Sequence, residues 1–192
     1  GYLHQNAIEV SSGGMIEIVL PHGPKAVHRY LEQSAELGFD IIELSSLTIS
    51  ISLQAKCNLV KAVNALGLKA KPEISAWTPG DRGKVSGEKM VREAEALLEA
   101  GAWTIMIEED GIFSEGNSAN AASEWNRDLV WRLSSRIPED KLYWEASSVS
   151  ILRWLLSSFG PDINLFCGAD DLPYVAAFRA GAFAMNIAGF DG

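Results

Sequence analysis

One local pattern, repeated along the chain, most constrains its fold: a short apolar run followed by a stretch with apolar residues at helical spacing. The runs are "GFDIIELSS", "GLKAKPEIS", "GAWTIMIEEDG", "DKLYWEASS" and "GPDINLFCGA". They alternate with "PKAVHRYLEQSAELG", "SLQAKCNLVKAVNALG", "SGEKMVREAEALLEAG", "ASEWNRDLVWRLSSRI" and "SILRWLLSSFG", where apolar residues recur at intervals of three and four. In the third of these, Met90, Ala94, Leu97 and Leu98 make one stripe. Gly38, Gly67 and Gly101 fall where a left-handed residue ends a helix before the next strand. With "AIEVSSGG" at the start, the pattern predicts six β-then-α units, and therefore a parallel sheet with helical crossovers.

Two architectures fit that rhythm, a doubly wound sheet and a (β/α)8 barrel. Glu43, Glu73, Glu108 and Glu145 each stand at the end of their predicted strand. In a barrel such ends converge on one mouth, where barrel enzymes carry their chemistry, whereas a doubly wound sheet spreads them along an edge. No GxGxxG follows a strand and no GxxxxGK[ST] is present, so nucleotide-fold fingerprints are missing. The reading is α/β, a TIM (β/α)8 barrel, forming one domain across residues 1–192.

The chain has 192 residues, 47% of them hydrophobic, enough for one core. A net charge of −9 without a Lys/Arg stripe argues against a nucleic-acid partner. The sequence contains no apolar run of membrane-spanning length and the N-terminus no signal-peptide pattern, so no membrane partner and a cytoplasmic location are expected. Cys57 and Cys167 are isolated and are expected to be core thiols. "WTPGDRGKVSG", Trp77 to Gly87, reads as a long loop.

Side chains alternate along a strand, so Thr104, Met106, Glu108 and Asp110 share one face and Ile105, Ile107 and Glu109 the other. Lys69, Lys71, Glu73 and Ser75 likewise share a face, as do Glu43 and Ser45, and Tyr143, Glu145 and Ser147. If the isoleucines meet the helices, four carboxylates face a common space. Two carboxylates about 4 Å apart repel by roughly 4 kcal/mol at an effective dielectric of about 20, so the cluster requires a cation, a basic partner or a bound proton. Mg²⁺, with one or two carboxylates, waters and a substrate phosphate, suits such oxygens. Zinc does not: His4, His22 and His28 fall outside the strand ends, and no zinc spacing is present.

Each acid also has a plainer reading, as a rim residue that caps a helix or pairs with Lys. Lys71 is either a catalytic cation or the salt-bridge partner of Glu73. Glu109 and Asp110 read as solvated loop acids or a helix-start signal. "SSGG", Ser11 to Gly14, and "ASS", Ala146 to Ser148, offer N–H groups and hydroxyls to an anion, or are ordinary turns. Arg179 reads as structural, His22 as part of a turn and His28 as a surface or packing residue.

"LEQSAELGFDIIELS", "LKAKPEIS", "LLEAGAWTIMIEEDGI", "KLYWEAS" and "FGPDINLF" resemble, in order, the strand motifs of phosphosulfolactate synthase and its relatives, among them bacterial homologues and heat-stress-associated proteins of plants. The resemblance implies a barrel that is often a homo-oligomer. It also implies Mg²⁺-dependent addition of sulfite to phosphoenolpyruvate, in archaea the first step toward coenzyme M. Carried over, Glu43, Glu73, Glu108 and Glu145 match the family's strand-end acids and Asn164 the Asn of its last barrel strand. Glu73, Glu108 and Glu145 are the expected catalytic residues and Mg²⁺ ligands, with Lys71 as the catalytic substitute for the cation the family pattern carries and this sequence lacks. Glu43 and Asn164 from the resemblance, and Ser12, Gly13 and Ser147 from the "SSGG" and "ASS" stretches, are the expected contacts to the small anionic substrates. The resemblance departs at two places. A Lys-Lys pair of the archaeal enzymes is replaced by Ala76 and Trp77, and a Gly-Arg pair by Glu109 and Asp110. The alternative function is a non-catalytic barrel homologue acting in stress tolerance through protein contacts. The resemblance makes "AIEVSSGG" a third barrel strand, with two β-α units expected upstream of Gly1. The barrel is then open between Ile8–Ser11 and Ile163–Cys167, and the tail offers one further apolar run, Phe183 to Ile187.

Overall fold

The computed structural model describes residues 1–45, 48–76, 85–113 and 125–182. Its framework is five strands: β1 (Ile41–Leu44), β2 (Lys69–Ile74), β3 (Ile105–Ile107), β4 (Leu142–Glu145) and β5 (Leu165–Phe166). All neighbours are parallel and the spatial order is the chain order. Helices α1 (Tyr2–Gln5), α2 (Ile16–Val19) and α3 (Pro24–Leu37) precede β1. The crossovers carry α4 (Leu53–Ala65), α5 (Gly87–Glu99), α6 (Arg127–Arg136) and α7 (Val149–Phe159), and α8 (Leu172–Arg179) follows β5. No helix among the described residues is long and apolar enough to cross a membrane.

Local chemistry starts and stops these helices. Ser52, Ser86, Asn126 and Ser148 stand at the N-caps of α4 to α7, each side-chain oxygen accepting the N–H three residues on. Gly38 ends α3 in the left-handed conformation at φ 84°. Gly101, at φ 103°, is required twice over, because a Cβ there would lie 2.7 Å from Asn64 Nδ2. The helices pack one face on the sheet: Met90, Val91, Ala94 and Leu97 of α5 are fully buried, and Leu98 lies at the margin. From the sheet, Ile42, Leu44, Ala70, Ile74, Ile105, Ile107, Leu142 and Trp144 join the same core. The isoleucines of β3 therefore meet the helices, and Glu43, Lys71, Glu73, Met106 and Tyr143 lie on the opposite face.

That opposite face is concave. Strands are about 4.8 Å apart, so β2 and β5 would be separated by roughly 14 Å in a flat sheet. Yet Lys71 Nζ of β2 lies 5.0 Å from the ring centroid of Tyr143 on β4 and 5.2 Å from that of Phe166 on β5. A sheet curled toward this face brings them together, and the result is a half-barrel.

The expected strand at Ile8–Ser11 is reduced to one bridge, Ser11 with Ile41. The reason is local: the Asp40 carboxylate accepts the Val10 N–H at 2.8 Å, while the Asp40 and Ile41 N–H groups both donate to the Val10 carbonyl. The ladder cannot propagate backwards past that knot, and Tyr2–Gln5 forms a helical turn instead. No ladder joins this segment to β5 among the described residues. The run Phe183 to Ile187 and residues 77–84 of the long loop lie outside the described residues. The loop's described ends meet, Val85 N donating to Ala76 O at 3.2 Å. Cys57 and Cys167 are free and half-buried, packed against the margin of the core rather than inside it.

Behind β2, Lys56 of α4 is buried against Glu93 of α5 at 2.7 Å and also donates to the Glu73 carbonyl at 3.4 Å. Removing one member of a buried pair strands the other charge, whereas an apolar pair of similar volume is often tolerated. Lys56→Ala should therefore lose about 3 kcal/mol in urea denaturation, and the double substitution Lys56→Met with Glu93→Leu should lie within about 1.5 kcal/mol of the unaltered chain.

Candidate active site on the concave face

Strand register sets where each acid stands. Glu43 is level with Lys71. Glu73 is level with Met106 and, through it, with Tyr143. Ile107 pairs with Trp144, which places Glu108 beside Glu145 one step further along. The acids thus climb toward the C-terminal strand ends, where the N-termini of the following helices also lie. All are withdrawn from solvent: Glu43, Lys71, Glu73 and Glu108 are 6%, 3%, 4% and 7% exposed, and Glu145 is partly buried.

Lys71 forms its ion pair with Glu43, at 3.0 Å, rather than with Glu73. The rings of Tyr143 and Phe166 flank the ammonium, so its charge faces one carboxylate and two π-faces. The Tyr143 hydroxyl is held above its ordinary pKa, chiefly by burial.

The other three acids form a chain in which the carboxyl of Glu108 lies between those of Glu73 and Glu145 and interacts with both. Burial is the largest cause of their raised pKa values, about 7 for Glu73, about 7 for Glu108 and about 8 for Glu145. For Glu73 the charge of Glu43 adds to burial, and for Glu145 the hydrogen bond to Glu108 does. Near neutral pH the chain retains protons, which is how three acids share so small a space. Among the described residues, no three His, Cys, Asp or Glu side chains are gathered as a ready metal cage.

The predicted anion contacts divide. Ser12 Oγ lies over β1, accepting the Glu43 N–H at 3.4 Å and donating to Gly13 O at 3.1 Å. Gly13 is left-handed at φ +65°, and Gly14 lies so close to the acids that a Cβ would be 3.2 Å from Ser45 Oγ and 3.4 Å from Glu43 Oε1. Ser147 instead donates its N–H to the Glu109 carboxylate at 2.7 Å. Asn164 Nδ2 donates to Leu142 O at 3.1 Å, which ties it to the start of β4 rather than to the acids at its end.

Glu109 is the residue that sequence reasoning missed: it is 9% exposed, not solvated, while Asp110 is exposed. The signal was present in the fully buried Ile112 and Phe113, whose N–H groups both donate to the Glu109 carbonyl and fold the chain back over it. Ala76 is buried after β2, and Trp77 lies outside the described residues. Elsewhere His4 pairs with Asp40 at 2.8 Å and His28 with Glu32 at 3.2 Å, both exposed. Arg179 donates to the Pro161 and Ile163 carbonyls, a structural role.

The family model described as (2R)-phospho-3-sulfolactate synthase (ComA) matches residues 1–184. The chain is 29% identical over 184 residues to the protein HEAT-STRESS-ASSOCIATED 32 of Arabidopsis thaliana, covering 85% of this chain and 62% of that one. It is 27% identical over 164 residues to the phosphosulfolactate synthase of Methanothermobacter thermautotrophicus, covering 82% and 61%. The chain thus spans about three fifths of the length of these relatives. Among solved structures, the HMG-CoA lyase of Bacillus subtilis superposes with a TM-score of 0.54 over 73% of this chain and 50% of that one. At 19% identity that likeness is one of fold.

The carboxyl chain makes stability depend on pH. Between about 4.5, the ordinary value, and about 8, the folded state holds more protons on these acids than the unfolded chain does. Stability is therefore fullest below that window and falls as pH rises through it. Without divalent cations, the urea midpoint should drop from pH 5 to pH 8.5, and Glu108→Gln should flatten the drop.

Proposed function

The chain belongs to the phosphosulfolactate synthase family, and from that membership we propose that its concave face adds a nucleophile, sulfite or one like it, to an enol-phosphate such as phosphoenolpyruvate. The observation that carries this reading is the buried Lys71–Glu43 pair at 3.0 Å, facing the Glu73–Glu108–Glu145 chain across the inner sheet surface. A cation near the carbon and carboxylate where negative charge develops is what the reaction asks for.

The chemistry balances without a redox partner. The sulfur lone pair forms a bond to the methylene carbon of phosphoenolpyruvate, and the double-bond pair moves onto the adjacent carbon and its carboxylate. A proton then reaches that carbon, giving phosphosulfolactate. Lys71 would stabilise the developing carboxylate charge and deliver the proton, with Glu43 orienting it. Ser12 and Gly13, on the loop over β1, would meet the substrate's anionic end.

Hard carboxylate oxygens suit Mg²⁺, which takes one or two of them and leaves its other positions to water and substrate, so a closed protein cage is not needed. One or two of Glu73, Glu108 and Glu145 would hold it, displacing the shared protons. When bound it would supply positive charge to the developing enolate. In this reading the whole protein is a cytoplasmic homo-oligomer that takes small anions.

A second reading follows from the 29% identity to the plant heat-stress-associated protein: a barrel homologue that acts through protein contacts. One assay separates the two. The protein should consume phosphoenolpyruvate only when sulfite is present, and Lys71→Met should slow this by roughly 100-fold or more, the range of general acid–base catalysis. Binding without turnover would point to a different nucleophile, and absence of binding to the second reading. Mg²⁺ at about 100 times its dissociation constant should add about 2.7 kcal/mol of stability. Glu108→Gln should remove most of that gain, and a melting curve unchanged by millimolar Mg²⁺ would rule the site out.

A further inference from the structure

Beyond β3 and β4 the regular ladder stops, yet the two chain segments remain joined by a reciprocal clasp. The Glu109 N–H donates to Glu145 Oε2 at 3.4 Å, and the Glu109 carboxylate accepts the Ser147 N–H at 2.7 Å. One residue therefore holds both the carboxyl that ends β4 and the backbone two residues on. Ser148, next along, is the N-cap of α7, its Oγ accepting the Ile151 N–H at 3.3 Å. The clasp thus ties the end of β3 to the start of α7.

Glu109 is itself immobilised. Its carbonyl accepts from Ile112 at 3.0 Å and Phe113 at 2.9 Å, both buried, and Phe113 packs edge-on to Trp125 and Trp154. Trp154 belongs to α7, so the turn after β3 and the helix after β4 are braced by one aromatic cluster. A buried carboxylate that spends its charge on a backbone N–H, in so tight a frame, is suited to aiming a neighbour.

We infer that Glu109 is a positioning residue, which fixes the Glu145 carboxyl against Glu108 through this clasp and so orients the acid chain toward the substrate. The inference rests on the proposed function for what Glu145 acts upon, but the clasp can be tested without it. It also gives Ser147 a different part: its N–H serves the clasp rather than the substrate anion.

Two substitutions in the full chain separate aiming from mere stability. Glu109→Gln keeps a carbonyl oxygen for the Ser147 N–H, whereas Glu109→Ala removes the acceptor. In the phosphoenolpyruvate and sulfite assay, Glu109→Ala should lower kcat at least tenfold with KM changed less than threefold, and Glu109→Gln should restore kcat to within about threefold. Crystal structures of both variants supply the reading that needs no turnover: Glu145 should swing away from Glu108 in Glu109→Ala and stay in place in Glu109→Gln. Unchanged kcat or an unmoved Glu145 in Glu109→Ala would overturn the inference. So would a Gln variant as impaired as the Ala variant with Glu145 in place, because the charge would then act directly. If the unaltered protein neither binds nor converts phosphoenolpyruvate, the proposed function fails, and the position of Glu145 in the two crystal structures still decides the role of Glu109.

Discussion

The fold withdraws Glu43, Glu73, Glu108 and, in part, Glu145 from solvent on the inside of one curled parallel sheet, and buries Glu109 just past the end of β3; the rest of the arrangement follows from how their repulsion is relieved. Each uses a different device. Glu43 has the Lys71 ammonium. Glu73, Glu108 and Glu145 retain protons and hydrogen-bond to one another. Glu109 takes a backbone N–H. Burial raises the pKa values of the three acids and strengthens the ion pair, so these devices count for more here than they would in water.

This arrangement depends on the outer layer. The concave face exists because the opposite face of each strand is covered by helices whose apolar stripes match it, Ile105 and Ile107 against the core and Met106 away from it. The capped starts of α4 to α7 lie at the same end as the acids, so the elements that hold the sheet also frame the site. Lys56 links the two layers, a buried charge behind β2 whose ammonium reaches the carbonyl of Glu73 itself.

Much of this was legible in the residues. Alternation along a strand placed Glu43, Lys71, Glu73, Glu108 and Glu145 on one face, because the side-chain period of two needs no tertiary knowledge. The partner of Lys71 was not legible: Glu73 is close in sequence on the same face, but cross-strand register brings Glu43 level with Lys71. The strand at Ile8–Ser11 failed because a single side chain, Asp40, intercepts the Val10 N–H, an event invisible to hydrophobic pattern. Glu109 was misread because a Glu just past a strand is ordinarily solvated, and only the return of Ile112 and Phe113 over it makes it interior. Local pattern is therefore reliable for faces and poor for partners, which depend on how strands end.

The proposed function requires an enol-phosphate to bind on the concave face, with Lys71 at its base. The most direct measurement is a crystal structure of the full-length protein with Mg²⁺ and phosphoenolpyruvate. Ligand density is expected on the inner sheet face, its carboxylate within hydrogen-bonding reach of Lys71 and the cation on one or two of Glu73, Glu108 and Glu145. Phosphoenolpyruvate bound elsewhere, or an inner face that stays empty at saturating ligand, would contradict the proposed function.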